Sequence, residues 1–351
     1  MRKIRFGIVG TGRISDWVLK GAFLEPRFEA AAVCSRTKEN ALAFAASHNI
    51  PKIFTNIDEM ASDPSIDAIY IGTPNHTHHD IAIRCMNKGK HVLCEKPLAS
   101  NALEVSEMIA AAKRNGVAMM EAMISTLSPN FRMVQERLND MGPVRNYSGV
   151  FCQYSSKYDL LKRILAGEDN SPVPSSFNPD RSGGALTDIG IYPIYPMVAL
   201  FGMPNGIKAN VLTVNVPTSR GMSPIDLQGA VLFEYDGMTA SAVYSKIADS
   251  RLRTEISCDK GIISLDQIHI TRQVELIQRG APTSGRSSGP AKEDITVPCD
   301  PDEYLCEFKE FIDIIENGSL ESRNNSLANS LAVARIMDEI RRQAAITFPA
   351  D

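Results

Sequence analysis

The sequence predicts an α/β protein in two parts: a doubly wound parallel sheet, then an α+β domain built on a large, mostly antiparallel open sheet. Three observations carry this. Up to about residue 122, short apolar runs alternate with stretches of helical period, which requires parallel pairing through right-handed crossovers. Beyond about residue 143, strand-like runs follow one another across tight turns such as Asp236-Gly237 and Asp259-Lys260-Gly261, as antiparallel hairpins do. The first apolar run breaks at Gly10 and Gly12, a strand–turn–helix pattern. The expected domains are 1–122 and 123–351.

In the first part, residues 4–9 and 28–34 read as strands on either side of a helical stretch, 14–23. Residues 38–47 have helical spacing and end near Asn49. A short buried strand at 68–71 precedes a helix over 77–88, where Thr77 and Asp80 stand in capping-box spacing and Gly89 supplies the stop. Residues 91–94 form a strand, Ser100 caps a helix running to Lys113, and 117–120 is the next strand. In the second part the strands are 144–154, 207–216, 227–235, 239–246, 253–258, 262–265 and 273–278. One helical stretch, 188–200, contains Pro193, whose ring clashes with the carbonyl of Ile189. That turn is therefore kinked, or a helix starts at Pro193 itself. Helices at about 303–316 and 326–343 close the chain. Segments 167–184 and 280–290 are rich in Gly, Ser and Pro, and the second reads as a mobile loop.

The 351 residues suffice for two domains, and 44% apolar with 22% charged content is ordinary for a globular chain. A net charge of −4 argues against a nucleic-acid surface, which needs a basic face. No apolar run approaches the ~20 residues that span a bilayer, so no membrane partner is expected. Met1-Arg2-Lys3-Ile4 opens a strand rather than a signal peptide. Seven scattered cysteines, none in a Cys-x-x-Cys pair, suit reduced thiols in a cytoplasmic protein.

The turn Gly10-Thr11-Gly12-Arg13-Ile14-Ser15 is the pattern that seats a pyrophosphate on a helix N-terminus, which points to a Rossmann-type dinucleotide site. An NAD-preferring site places Asp or Glu at the end of the second strand. Here that strand ends Ser35-Arg36-Thr37, and a guanidinium matches a 2′-phosphate, so NADP is favoured while NAD stays possible. Thr73-Pro74-Asn75-His76 follows the fourth strand, at the sheet edge where ligands bind, and should touch the middle of the cofactor. His76, His78 and His79 cluster, but no neighbouring carboxylate or thiolate completes a ligand set. No metal is expected, and His78 and His79 read as surface residues. Glu95-Lys96-Pro97 ends a strand at the same edge. Lys96 would point into the ligand crevice, and Pro97 would fix the turn, with a cis peptide one way of doing so. Asp188 and Tyr192, four residues apart, share a face if their turn is helical.

Together these motifs, with Glu-Lys-Pro-Leu at 95–98 and Gly-Gly-Ala-Leu-x-Asp-Ile-Gly-x-Tyr-Pro at 183–193, resemble the glucose–fructose oxidoreductase/inositol dehydrogenase (Gfo/Idh/MocA) family over nearly the whole chain. Tyr192 resembles the branch holding dimeric dihydrodiol dehydrogenase, 1,5-anhydrofructose reductase and xylose dehydrogenases, where inositol dehydrogenases have His. The resemblance implies a catalytic Lys96, a carboxylate near the substrate at Asp188 and an acid/base at Tyr192. It implies cofactor contacts at Gly10, Gly12, Ile14, Ser35, Arg36, Thr73, Asn75, His76, Glu95 and Glu121, and Thr11, Arg13, Pro74 and Lys96 belong to the same loops. It also implies a sugar, polyol or trans-dihydrodiol substrate and a homodimer or homotetramer formed through the second sheet. One departure is local. The branch often follows Glu-Ala with an aromatic and Trp-Arg-Phe, whereas this chain has Met123-Ile124-Ser125-Thr126-Leu127 after Glu121-Ala122. A cofactor-sensing regulator without turnover is the alternative reading, and a sensor needs none of Lys96, Asp188 and Tyr192.

Overall fold

A computed structural model describes residues 2–279 and 291–351, so the loop expected at 280–290 lies outside the described residues. The chain divides into two units. The first holds the chain up to Leu127 together with Asp300–Ala334 and Ala350, and the second holds Ser128–Cys299, Arg335–Pro349 and Asp351.

In the first unit β1 (Ile4–Val9), α1 (Arg13–Ala22), β2 (Phe28–Cys34), α2 (Lys38–His48), β3 (Lys52–Phe54), α3 (Ile57–Ser62) and β4 (Ala68–Ile71) form one half. The other half is α4 (His78–Met86), β5 (His91–Glu95), α5 (Ala102–Asn115), β6 (Met119–Ala122) and the single turn α6 (Ile124–Leu127). The sheet order is β3-β2-β1-β4-β5-β6 and every pairing is parallel. The order reverses at β1 and β4, the switch point beyond whose carboxyl ends ligands bind in such sheets. β4 is buried at all four positions because helices cover both faces. The short β3 and α3 carry too few residues to show a period in the sequence.

Two expected caps are corrected. Thr77 does not cap a helix: residues 75–77 form a 3₁₀ turn, and the Thr77 hydroxyl is committed to Pro74 O and Thr73 Oγ1, both at 2.7 Å. Asn101, not Ser100, caps α5, accepting from Glu104 N at 2.9 Å. The Glu104 carboxylate reaches back to the Ser100 N–H at 2.9 Å, so Ser100 supplies the backbone half of the capping box.

The second unit contains α7 (Pro129–Leu138), β7 (Val144–Cys152), α8 (Tyr158–Leu165), α9 (Ile191–Phe201), β8 (Gly206–Thr218), β9 (Gly221–Tyr235) and β10 (Met238–Ser245). β11 (Thr254–Cys258), β12 (Gly261–Leu265), β13 (Val274–Gln278) and β14 (Lys292–Asp294) complete its sheet, in the order β14-β13-β12-β11-β7-β10-β9-β8. Every described pairing in this sheet is antiparallel except β7 with β10. β10 alternates, with Ala240, Ala242 and Tyr244 turned inward, as a half-buried strand must.

The two closing helices are α10 (Leu305–Glu316) and α11 (Leu327–Gln343). The sequence placed both in the second domain, but α10 packs in the first unit. Phe308 lies 5.4 Å from Phe6 and 5.0 Å from Phe28 between ring centroids, and Phe311 lies 6.1 Å from Phe6. This aromatic cluster covers one face of the parallel sheet near β1 and β2. Among the described residues, no helix is long and apolar enough to cross a membrane.

Candidate active site

The turn between β1 and α1 needs its glycines for different reasons. Gly10 has φ +102°, and a Cβ there would stand 2.4 Å from the Gly72 carbonyl oxygen, so only glycine fits. Gly12 is the N-cap of α1 and makes no side-chain cap bond. A Cβ at Gly12 would meet nothing within 4 Å, which leaves open space over the first helical turn. Ser15 is fully buried against the strands, small enough for close packing. Uncapped N–H groups beneath open space form a seat for an anion, and a dinucleotide pyrophosphate fits it. Thr11 Oγ1 lies 3.2 Å from Ser35 Oγ, joining this turn to the end of β2. There Arg36 is exposed and has no hydrogen-bond or ion-pair partner among the described residues, while Thr37 is used as the cap of α2. Arg13 is exposed with its guanidinium 4.8 Å from the Trp17 ring centre, and Ile14 is half-buried.

The loops after β4 and β5 are tied together by a residue the sequence placed on the surface. His78 is fully buried, with Nε2 2.8 Å from Thr73 O and Nδ1 2.9 Å from Pro97 O. Burial lowers its pKa, against the two carbonyl contacts that favour the cation. The correction has a physical reason: the ring fills the space between two carbonyls where the strands end, and its N–H donates to one of them. His79 is partly exposed and pairs with Glu107 at 2.7 Å, and no group of metal-ligand residues forms among the described residues. Asn75 is half-buried, and Pro74 and His76 are exposed on the braced loop. The Lys96-Pro97 peptide is cis, and Lys96 is half-buried just beyond β5.

Glu95 and Glu121 point inward. Glu95 accepts from the Tyr70 hydroxyl at 2.8 Å. Glu121 is buried and accepts the Leu98 N–H at 3.0 Å; burial raises its pKa to about 7, opposed by its hydrogen bonds to Ser330 and Leu98. The departing segment after Ala122 is α6, wholly buried, with Thr126 and the backbone of Met123 bonded to Asn325.

In the second unit, Asp188 and Tyr192 lie on one continuous helical segment. It opens as a π-type turn, Leu186–Gly190, and runs directly into α9. The helix does not start at Pro193. The widened turn accommodates the proline, and Pro193 O accepts the Tyr147 hydroxyl at 2.7 Å. Asp226 anchors the start of the turn, with its buried carboxylate 2.6 Å from the Leu186 N–H. Burial lifts its pKa to about 6. Gly184, at φ +136°, gives that carboxylate room, since a Cβ there would lie 2.3 Å from Asp226 Oδ1. The Tyr192 ring meets Phe151 edge-on at 5.4 Å and His269 at 5.9 Å, and Phe151 stacks on His269 at 4.1 Å.

Lys246, just past β10, is the residue the sequence did not single out. Its side chain is 5% exposed, it pairs with Asp188, and its ammonium lies 5.0 Å from the Phe177 ring centre. The pair is formed by residues 58 apart in sequence, so no local spacing announces it. Tyr158 lies 6.2 Å from Phe177, Tyr154 meets Tyr158 at 5.6 Å, and Arg181 is turned to Ser175 at 2.7 Å.

Residues 4–123 match the model of the oxidoreductase family with the NAD-binding Rossmann fold, and residues 132–264 match the GFO/IDH/MocA C-terminal domain. The scyllo-inositol 2-dehydrogenase (NADP(+)) IolU of Bacillus subtilis (strain 168) is 42% identical over 348 residues, 99% of each chain. This chain belongs to the GFO/IDH/MocA oxidoreductase family. Another GFO/IDH/MocA-like relative, the trans-1,2-dihydrobenzene-1,2-diol dehydrogenase of Xenopus laevis, is 32% identical over 359 residues, 98% of this chain and 99% of that one. A levoglucosan dehydrogenase in complex with NADH and levoglucosan superposes with TM-score 0.83 over 98% of each chain at 21% identity, which shows the shared fold. The GFO/IDH/MocA architecture thus accounts for both units.

Proposed function

We propose that this oxidoreductase uses NADP(H) to interconvert a secondary alcohol and a ketone, or an aldose and its oxidised form, on a sugar, cyclic polyol or trans-dihydrodiol. The observation that supports it most is the full-length 42% likeness to an NADP-dependent inositol dehydrogenase, combined with an exposed Arg36, unpartnered among the described residues, where an NAD site would carry a carboxylate. Gly10, Thr11, Gly12, Arg13 and Ile14 would hold the pyrophosphate, Ser35 and Arg36 the 2′-phosphate, and Thr73, Pro74, Asn75, His76, Glu95, Lys96 and Glu121 the remainder. Bound there, the cofactor supplies or accepts the hydride.

The chain's own residues move the proton and fix the substrate. Tyr192 takes or gives the hydroxyl proton. Phenol has a pKa near ~10, so a base at neutral pH needs a neighbouring cation that favours phenolate. Lys96 donates a hydrogen bond to the substrate oxygen as charge develops on it. Asp188, paired with Lys246, accepts from an adjacent substrate hydroxyl, a demand that suits vicinal diols and polyols.

The second sheet supports a homo-oligomer. One face carries Leu212 (49% exposed) and Leu232 (61%) with Ala230 and Val243, interleaved by register with Lys208, Asn210, Gln228 and Ser241. A second copy would pair over this mixed face, as a dimer or a tetramer. The seven free thiols fit a reducing cytoplasm. The test is a panel of cyclitols, aldoses and dihydrodiols with NADP+ and NAD+, and of the matching carbonyl compounds with NADPH and NADH, read at the nicotinamide absorbance. Turnover preferring NADP(H) is expected, whereas cofactor binding with no turnover on any member would favour a sensor.

A further inference from the structure

Lysine is among the residues least often buried, and one that is buried needs a partner. Lys246 is such a residue, and its pairing with Asp188 lies wholly inside the second unit. The two members are unequal. The Lys246 side chain is 5% exposed and the Asp188 side chain 38%. The ammonium also stands 5.0 Å from the centre of the buried Phe177 ring, whose face offsets part of its lost hydration.

The lysine is held by its backbone as well. Its N–H donates to Leu227 O on β9, and its carbonyl accepts the Ser155 N–H, each at 2.9 Å. The preceding hydroxyl, Ser245 Oγ, accepts the N–H groups of Ile247 at 3.2 Å and Ala248 at 3.1 Å. The ring and the carboxylate share one frame. Ser176 O, beside Phe177, accepts the Gly184 N–H at 3.1 Å, and Gly184 O accepts the Asp188 N–H at 3.1 Å. The other acid of this turn, Asp226, is directed to the backbone at Leu186. A buried ammonium on a fixed strand end cannot turn to water, whereas a half-exposed carboxylate can. The lysine therefore fixes the aspartate, not the reverse.

We propose that Lys246 is a positioning residue that sets substrate specificity: it pins the Asp188 carboxylate in one place and so makes a hydroxyl beside the reacting carbon a requirement. The inference rests on the reading above, in which Asp188 accepts from that hydroxyl. A carboxylate has about four lone-pair sites and no donor, so one lysine does not exhaust it and the group stays an acceptor. A hydroxyl at that point satisfies it. A deoxy carbon or an ether oxygen brings no donor and leaves the desolvated anion unmatched.

Two readouts test this. In the wild type, replacing a substrate by its analogue deoxygenated next to the reacting carbon should lower kcat/KM about 10- to 100-fold. In Lys246→Met the hydroxylated substrate should fall toward the rate of the deoxy one, so that the penalty largely disappears while NADPH affinity is unchanged. A variant that merely loosened the fold would slow both substrates alike and keep the penalty. The second readout needs no turnover. Asp188→Asn strips a buried ammonium of its carboxylate, so it should lower the thermal midpoint by several degrees in the wild type and by little in the Lys246→Met background. An undiminished deoxy penalty in an active Lys246→Met, or equal thermal shifts in the two backgrounds, would overturn the positioning role alone. A wild type inert on the whole substrate panel would end the oxidoreductase reading, and this role with it.

Discussion

Arg36 and Tyr192 each stand for one half of the proposed chemistry, and each can be removed cleanly. Arg36 is exposed beyond the end of β2 and braces nothing among the described residues, so Arg36→Ala should fold normally. Loss of a charge-assisted hydrogen bond to a 2′-phosphate should raise the KM for NADPH about 10- to 100-fold and barely move that for NADH. Steady-state kinetics with both cofactors check this, and equal effects would assign Arg36 to the surface. Tyr192→Phe keeps the ring against Phe151 and His269 but loses the hydroxyl. It should cut turnover ~10²–10⁴-fold with NADPH binding nearly intact, measured by single-turnover kinetics and fluorescence titration. Unchanged turnover would place the proton path elsewhere.

Among the elements, the end of β6 makes a claim about pH. Glu121 has its pKa raised from 4.5 to about 7, so the folded chain holds this proton more tightly than the unfolded chain does. Its stabilisation is complete below 4.5 and is lost as pH rises through about 7. The span is worth on the order of 3 kcal/mol. Urea unfolding of wild type and Glu121→Gln from pH 4.5 to 8 should give curves that diverge in slope across this window; parallel curves would show that Glu121 titrates alike in both states. Elements also show what a sequence reveals. β1, β2, β4 and most of the second sheet are legible because apolar alternation and turn residues are local signals. The cap at Asn101 was displaced by one residue because Ser100 and Asn101 are both good caps, and only the Glu104 contacts decide between them. His78 was misplaced because its two carbonyl partners belong to different loops. Asp226 and Lys246, which brace the Asp188 segment, were missed because 40 and 58 residues separate them from their partners.

For the whole molecule, the proposed assembly runs through the exposed face of the second sheet. Replacing Leu232, 61% exposed, with Glu puts a further negative charge on that face, two residues from Glu234. Sedimentation velocity should show the wild type as a dimer or tetramer and Leu232→Glu as the smaller species, with an unchanged thermal transition at low concentration if the units fold independently of assembly. A variant of undiminished mass would move the interface elsewhere. The division of the chain was less legible than its elements. The family motifs mark where each unit begins, yet nothing in the periodicity of α10 says which sheet its phenylalanines will meet. That choice is made by the complementary ring surfaces of Phe6 and Phe28, some 280 residues earlier.

The return of Asp300–Ala334 to the first unit has a consequence for synthesis. A ribosome delivers all six strands of the parallel sheet long before it delivers Phe308 and Phe311. Until nearly the last tenth of the polypeptide has emerged, the nascent sheet carries a bare ring surface that only its own tail can sheathe.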